Sequence, residues 1–286
     1  MKLFRIQGKQ KIDFFNSNMM NAHKDHLKRH RCEKFVDIHC HCLPGLDDGP
    51  ATISEALILC KALAEDNIAT VIATPHQLGR FEGSNEAQGV RDAVNKLNQM
   101  LNGHGISINV VPGGEVRVDE RICQLLKADK ILTLADSGRY ILLELPHQVF
   151  IDIEPMLREL VSMGIQPIIS HAERITALTK EPNLLLRWLE HSTNLQITAS
   201  SLLGDFGSEA ERAAWGFLTS GWARLVATDS HDINSRRPKM RAAYKLITAK
   251  LGEGLANQVC IENPLRVIKG KDILPAPIFE QQEASL

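Results

Sequence analysis

The 286-residue chain reads as an α/β protein in which parallel strands alternate with helices and form one closed or nearly closed barrel. Three observations carry this. From Phe35 onward, short β-branched or apolar runs alternate with helical patterns, as βα units require. Seven such runs occupy about 200 residues with no break in composition, a size at which a barrel is commonly one domain. Six of the seven end in His, Asp or Glu, and in a parallel barrel such ends converge on one mouth. A doubly wound open sheet is the alternative. No Gly-x-Gly-x-x-Gly or Walker-type loop follows the first strand to give that fold its usual nucleotide site.

Residues 1–34 stand apart, with nine Lys/Arg against three acidic residues. His23, His26 and His30 would share a helical face, but little apolar surface accompanies them, so a flexible basic extension is expected. Met19 and Met20 leave a later start open. The strand-like runs are Phe35–Cys42, Thr70–His76, Ile106–Glu115, Tyr140–Glu144, Gln166–His171, Leu195–Ser201 and Arg224–His231. Helical patterns separate them. Ile53–Asp66 ends at Asn67, Asn85–Asn102 closes on Gly103, and Ile151–Met163 stops at Gly164. Pro182–His191 carries Pro near its first turn, while Glu209–Ser220 and Met240–Leu251 end on Gly221 and Gly252. The expected domain spans 35–274, followed by a frayed Glu/Gln/Pro-rich tail over 275–286.

Composition excludes several classes of function. Net charge is −1 and aromatics make up 5%, so neither a basic field nor a base-stacking surface invites nucleic acid. No apolar run approaches the ~20 residues a membrane helix needs, and the N-terminus lacks a secretory pattern. Six scattered cysteines make no disulfide framework or zinc knuckle, which points to reduced thiols in the cytoplasm.

The chemistry sits at the strand ends: His39 and His41, His76, Glu115, Glu144, His171, then Asp229 and His231. Alternation places His39 and His41 on one face of their strand and Val36, Ile38 and Cys40 on the other. Asp229 and His231 repeat that spacing, and Asp48 follows in the loop after the first pair. Five imidazoles and four carboxylates exceed one tetrahedral zinc site. They suit two or three divalent metals sharing bridging carboxylates. Asp37, on the His39 face, is a candidate partner for orienting a histidine. Asp47, Cys40 and Cys42 receive no role. Arg174 and Arg236, shortly after His171 and His231, suit either a surface salt bridge or a fork onto phosphate oxygens, and a neighbouring metal cluster favours the second.

Taken together, Asp37-Ile38-His39-Cys40-His41 with Leu43-Pro44-Gly45-Leu46-Asp47-Asp48-Gly49-Pro50, Thr74-Pro75-His76, Gly114-Glu115, Glu144, His171-Ala172-Glu173-Arg174, Asp229-Ser230-His231 and Glu262-Asn263-Pro264 form a set. This set resembles the PHP (polymerase and histidinol phosphatase) superfamily. Within it, the Asp-Asp-Gly-Pro and His-x-Glu-Arg motifs resemble the bacterial capsule and exopolysaccharide protein-tyrosine phosphatases. The resemblance implies a distorted (βα)7 TIM-like barrel holding three divalent ions, manganese first and Fe, Zn, Co or Mg as alternatives. By that resemblance His39, His41, Glu115 and Asp229 hold one ion. Glu115 bridges to a second with Glu144 and His171, and Asp48, His76 and His231 hold the third. Arg174 and Arg236 match the phosphate-gripping arginines.

The implied reaction is phosphomonoester hydrolysis by in-line attack of a metal-bridged hydroxide, with no cysteine nucleophile. The implied substrate is phosphotyrosine on the tail of an autophosphorylating tyrosine kinase of polysaccharide export. A small phosphate ester such as histidinol phosphate or a nucleotide is the nearest rival. An amidohydrolase is weaker, since no lysine ends a strand. A catalytically dead binding protein is disfavoured by the complete ligand set. Residues 1–34 depart from the family, which usually starts close to its His-x-His.

Overall fold

A computed structural model describes residues 34–275. The expected basic extension with its three histidines, and the tail beyond Pro275, lie outside the described residues. Among the described residues nine strands occur: β1 (Phe35–Cys40), β2 (Ile68–Ala73), β3 (His76–Gln77), β4 (Asn109–Pro112), β5 (Glu115–Arg117), β6 (Tyr140–Glu144), β7 (Gln166–Ile169), β8 (Asn194–Thr198) and β9 (Ala223–Ala227). They form two sheets, β1-β2-β4 and β3-β5-β6-β7-β8-β9, and every neighbouring pair is parallel. The mixed α/β fold with parallel sheets expected from the alternating pattern is therefore present.

Two of the seven anticipated strands are each cut in two. Pro75, which has no N–H for a ladder, separates β2 from β3, and Gly113-Gly114 separates β4 from β5. Glycine is needed at 114 because a Cβ there would lie 2.1 Å from Gln77 Oε1. Backbone pairing also reaches past the named strands. Cys40 bridges Ser230, the Asp229 N–H donates to His39 O at 2.8 Å, and the His41 N–H donates to Ser230 O at 2.9 Å.

The helices are α1 (Ile53–Glu65), α2 (Ala87–Gly103), α3 (Ile122–Lys127), α4 (Glu154–Ser162), α5 (Thr176–Lys180), α6 (Leu184–Glu190), α7 (Ala199–Leu202), α8 (Ser208–Thr219), α9 (Met240–Leu251), α10 (Glu253–Asn257) and α11 (Asn263–Ile268). A Thr52/Glu55 capping box starts α1. The sequence expectation misplaced several ends: the runs expected to reach Cys42, His171 and His231 leave their sheets at Cys40, Ile169 and Ala227. Helix α2 runs through Gly103 and the left-handed residue is Gly105. The run Leu195–Ser201 leaves the sheet at Thr198 and turns into α7. Among the described residues no helix is long and apolar enough to cross a membrane.

The main core lies between the strands and the helices. A second, smaller cluster joins Val36, Ile38, Ile72, Leu142, Ile168, Leu225 and Ala227. Leu142 stands two residues before Glu144 on β6 and so shares its face, which places this apolar layer next to the polar strand ends. Val36 and Ile38 were expected to face away with Cys40. They join this inner layer, whereas Cys40 packs in the main core. A register shift between Asp37 and Cys40 interrupts the alternation.

Candidate metal centre

The end of β1 is fully buried, and it is clamped to the segment after β9. Asp37 Oδ1 accepts the Thr228 N–H at 3.0 Å, and the Thr228 hydroxyl donates to Asp37 Oδ2. Asp37 therefore serves the backbone of the site rather than a histidine ring, because its carboxylate is already committed to Thr228. With β1 held this way, His39 Nε2 lies 3.3 Å from both Glu115 Oε2 and Asp229 Oδ1. His41 Nε2 lies 3.4 Å and 3.6 Å from the same two atoms.

Glu115 is the hub. Its Oε2 is 3.1 Å from His76 Nδ1 and its Oε1 is 2.9 Å from His171 Nε2. Glu144 Oε2 is 3.6 Å from His76 Nδ1, while Arg117 holds the other Glu144 oxygen at 3.2 Å. Asp48 Oδ1 is 3.4 Å from Nε2 of both His76 and His231. Three sets each bring ligand atoms within 4.8 Å of one another: His41, Asp48, His76 and His231; His39, His41 and Asp229; and His76, Glu115 and Glu144. His171 stands outside those sets, against Glu115 and Gln196, whose side-chain oxygen accepts the His171 N–H at 3.1 Å.

The residues present fit divalent cations. Both Glu115 oxygens, Asp229 Oδ1 and His171 Nδ1 are buried without a well-directed hydrogen bond. Buried carboxylate oxygens normally collect such bonds, so these lone pairs converge on space that suits a cation. A mixed imidazole and carboxylate donor set suits manganese, iron or zinc. Two of these residues also hold left-handed backbone, His171 at φ 30° and Asp229 at φ 52°, at a cost of ~1–3 kcal/mol each for a side chain bearing a Cβ.

Electrostatics divides the cluster. Burial would raise Glu115 and Asp229, but imidazoles around both, and Arg174 and Arg236 beside Asp229, hold them well below the usual carboxylate range. Burial, and next the charge of Glu115, raises Glu144 to about 7. Burial pushes His171 down to about 3, with Arg174 adding to it, and His76 down to about 4. Burial opposes protonation of His41 as well, but Asp47 and Glu115 outweigh it and lift the ring to about 10.

Arg174 Nη1 is 2.7 Å from Asp229 Oδ2, and Arg236 Nη2 pairs with the same oxygen. Arg236 Nη1 also meets His231 Nε2 at 2.8 Å, and Arg174 lies over the Phe206 ring at 4.7 Å. Both guanidinium groups line a cavity of about 370 Å³ with His147, Phe206 and Glu209. The turn carrying Arg174 is fixed from behind. Buried Glu173 accepts the Thr198 N–H at 2.9 Å and the Ser201 hydroxyl at 2.6 Å.

Sequence reasoning missed four partners. Asp47 meets His41 Nδ1 at 2.6 Å, Gln196 meets His39 Nδ1 at 2.9 Å, Arg117 holds Glu144, and Thr228 holds Asp37. Only Asp47, beside Asp48 in the loop after the histidine pair, carried a signal. One further pattern was passed over. Cys260 stands six residues before Arg266, the spacing of thiol phosphatases. Cys260 is wholly buried in a π-helical turn, burial pushes its thiol up, and Arg266 Nε donates to Asp272 O. It forms no phosphate loop.

Residues 35–269 match the family model described as capsular polysaccharide synthesis, CpsB/CapC. The chain belongs to the CpsB/CapC family. CapC of Staphylococcus aureus is 35% identical over 229 residues, covering 77% of this chain and 89% of CapC. The tyrosine-protein phosphatase YwqE of Bacillus subtilis is 31% identical over 243 residues, covering 85% and 94%. A crystal structure from work on YwqE and Streptococcus pneumoniae CpsB, described as metal-dependent tyrosine phosphatases, superposes with a TM-score of 0.80 at 30% identity. It covers 85% of this chain and 99% of the other. The Listeria monocytogenes lactonase Lmo2620, at TM-score 0.50 and 13% identity over 84% of this chain and 95% of its own, shares the fold alone. This CpsB/CapC chain therefore carries its converging histidines and carboxylates on a scaffold common to solved tyrosine phosphatases.

Proposed function

We propose that this CpsB/CapC protein is a metal-dependent protein-tyrosine phosphatase. One observation carries the reading. Eight His, Asp and Glu side chains, all but Asp48 buried or half-buried, gather around Glu115, and two arginines on Asp229 face the adjoining cavity. His39, His41, Glu115 and Asp229 would hold one ion, Glu115, Glu144 and His171 a second, and Asp48, His76 and His231 a third. Manganese is the ion we favour. When bound, such ions supply Lewis-acid chemistry, neutralising phosphoryl charge and acidifying water. Arg174 and Arg236 bind and orient the phosphoryl oxygens as a planar fork pair. Glu173 keeps Arg174 in place, and Arg117 keeps Glu144 in place. A phenolate leaves with a parent pKa near 10, so it needs less protonation than an alkoxide.

The fold is read as a distorted (βα)7 barrel of the PHP type over residues 35–274. In that reading β2 with β3, and β4 with β5, are halves of single strands. The Cys40–Ser230 bridge supports closure between β1 and β9. A tyrosine kinase of polysaccharide export, acting in the cytoplasm, is the natural source of substrate. The five described cysteines, all free, support a reducing compartment.

The test is turnover of a phosphotyrosine peptide, a phosphoserine peptide, histidinol phosphate and a nucleotide, each with manganese after chelation. Manganese-dependent preference for phosphotyrosine is expected, and preference for either small ester would overturn the assignment. Arg174→Ala should raise KM for the peptide more than it lowers kcat.

A further inference from the structure

The recess holding Arg174 and Arg236 does not end at the metal centre. A second cavity of about 380 Å³ shares Thr179 and Glu209 with it, so the two form one groove. Helix α8 walls it. Glu209, Arg212, Ala213, Gly216 and Ser220 line the second cavity, and spacings of three and four residues place them on one face. Buried Phe217 and half-buried Trp222 supply apolar surface, and Lys180 and Arg212 supply positive charge. Neither cation has an ion-pair partner among the described residues. Glu209, at the junction, is the acidic side chain of this cavity. From Ala210 in the first cavity to Ser220 in the second is about 15 Å at 1.5 Å per residue, the reach of four or five extended residues. Ala214 and Leu218, buried on the side of α8 away from the groove, pack the helix into the main core, so the wall is in place before anything binds.

We propose that this groove binds the polypeptide flanking the phosphotyrosine, accepting an apolar side chain and an acidic neighbour about four or five residues away. The proposal rests on the tyrosine-phosphatase reading. Continuity with the arginine recess favours the substrate chain as occupant, because any protein phosphotyrosine brings its own flanking residues. Charge favours acidic residues, since two unpaired cations face one carboxylate.

Gly216 provides the test. A Cβ there would meet nothing within 4 Å, so Gly216→Phe fills the groove, and replacing a helical glycine favours α8. Arg212→Glu reverses the rim charge. Steady-state kinetics would compare p-nitrophenyl phosphate, a phosphotyrosine peptide with two flanking residues on each side, and a long peptide with apolar and acidic residues farther out. The unmodified enzyme should favour the long peptide. Gly216→Phe should lower kcat/KM for it about tenfold, as loss of one pocket contact does, and spare the other two substrates. Arg212→Glu should favour a long peptide with lysines in place of the acidic residues. Equal kinetics for long and short peptides, or a parallel loss on all three substrates, would overturn the groove. So would a change in sedimentation on Gly216→Phe, which would make the face a contact between copies. An unmodified enzyme inactive on p-nitrophenyl phosphate would instead overturn the phosphatase reading.

Discussion

His41 and Asp47 are joined through Nδ1 and Oδ2 at 2.6 Å. With Nδ1–H given to Asp47, Nε2 of His41 is left facing Glu115 and Asp229, and its lone pair becomes free for a metal once the ring's second proton leaves. The same carboxylate accepts the Gly49 N–H at 3.0 Å and the His76 N–H at 3.1 Å, so it sets the position of two histidines at once. Carboxylate partners of ligating histidines commonly change metal affinity or activity by ~10–100-fold. Asp47→Ala should raise the half-saturating manganese concentration by about that factor. Titration of chelated enzyme with manganese would show it, and an unchanged midpoint would reduce Asp47 to a loop brace.

Glu115 touches four imidazoles and cannot be replaced by any single neighbour. Chelation should abolish turnover, and manganese should restore it in the unmodified protein but not in Glu115→Ala. Alkylating thiols should change nothing, because the five described cysteines are buried. Activity that survives chelation would sink the metal mechanism.

Loading the centre should release protons. In the metal-free fold His41 titrates near 10, so it is protonated at pH 8, and ligation requires that proton to leave. Metal affinity should therefore climb as pH rises and level off above about 10. The raised His41 pKa also stabilises the metal-free fold below pH ~6.5, a contribution lost as pH rises through the folded value. Calorimetric titration with manganese at pH 8, in buffers of differing ionisation enthalpy, should give buffer-dependent heats. His76 and His171, already neutral at that pH, contribute none. Identical heats in all buffers would contradict the assignment.

Asp37 predicts a stability effect at a distance from any reacting atom. Asp37→Ala strands the buried Thr228 N–H and hydroxyl, at a cost of ~1–3 kcal/mol. Asp37→Asn, which keeps an acceptor, should cost less. Urea denaturation of manganese-loaded protein would measure both, and equal midpoints for the two variants would show that the carboxylate holds nothing.

The strand ends were legible because a parallel arrangement converts sequence position into spatial position. A polar residue closing an apolar run must arrive where the other runs close, and Glu115, Glu144 and Asp229 did. What depends on register across the sheet was not legible. Gln196 lies inside an apolar strand, and only the pairing of β7 with β8 brings it near His171. The slip between Asp37 and Cys40 separates Cys40, in the main core, from Val36 and Ile38 in the inner layer, which strict alternation cannot anticipate. Asp47 and Asp48 are adjacent and chemically identical. The turn alone gives one to a histidine ring beside the strand end and leaves the other facing His76 and His231.

The left-handed backbone at His171 and Asp229 sets foldability against reactivity at two positions. Glycine would relax either turn but remove the ring aimed at Glu115 or the carboxylate aimed at His39, and asparagine at 229 would keep an oxygen but lose the negative charge. A thermostability screen run without selection for turnover would erode the centre first at residues 171 and 229. Variants that gain melting temperature while losing metal would then mark where the fold has been working against its own comfort.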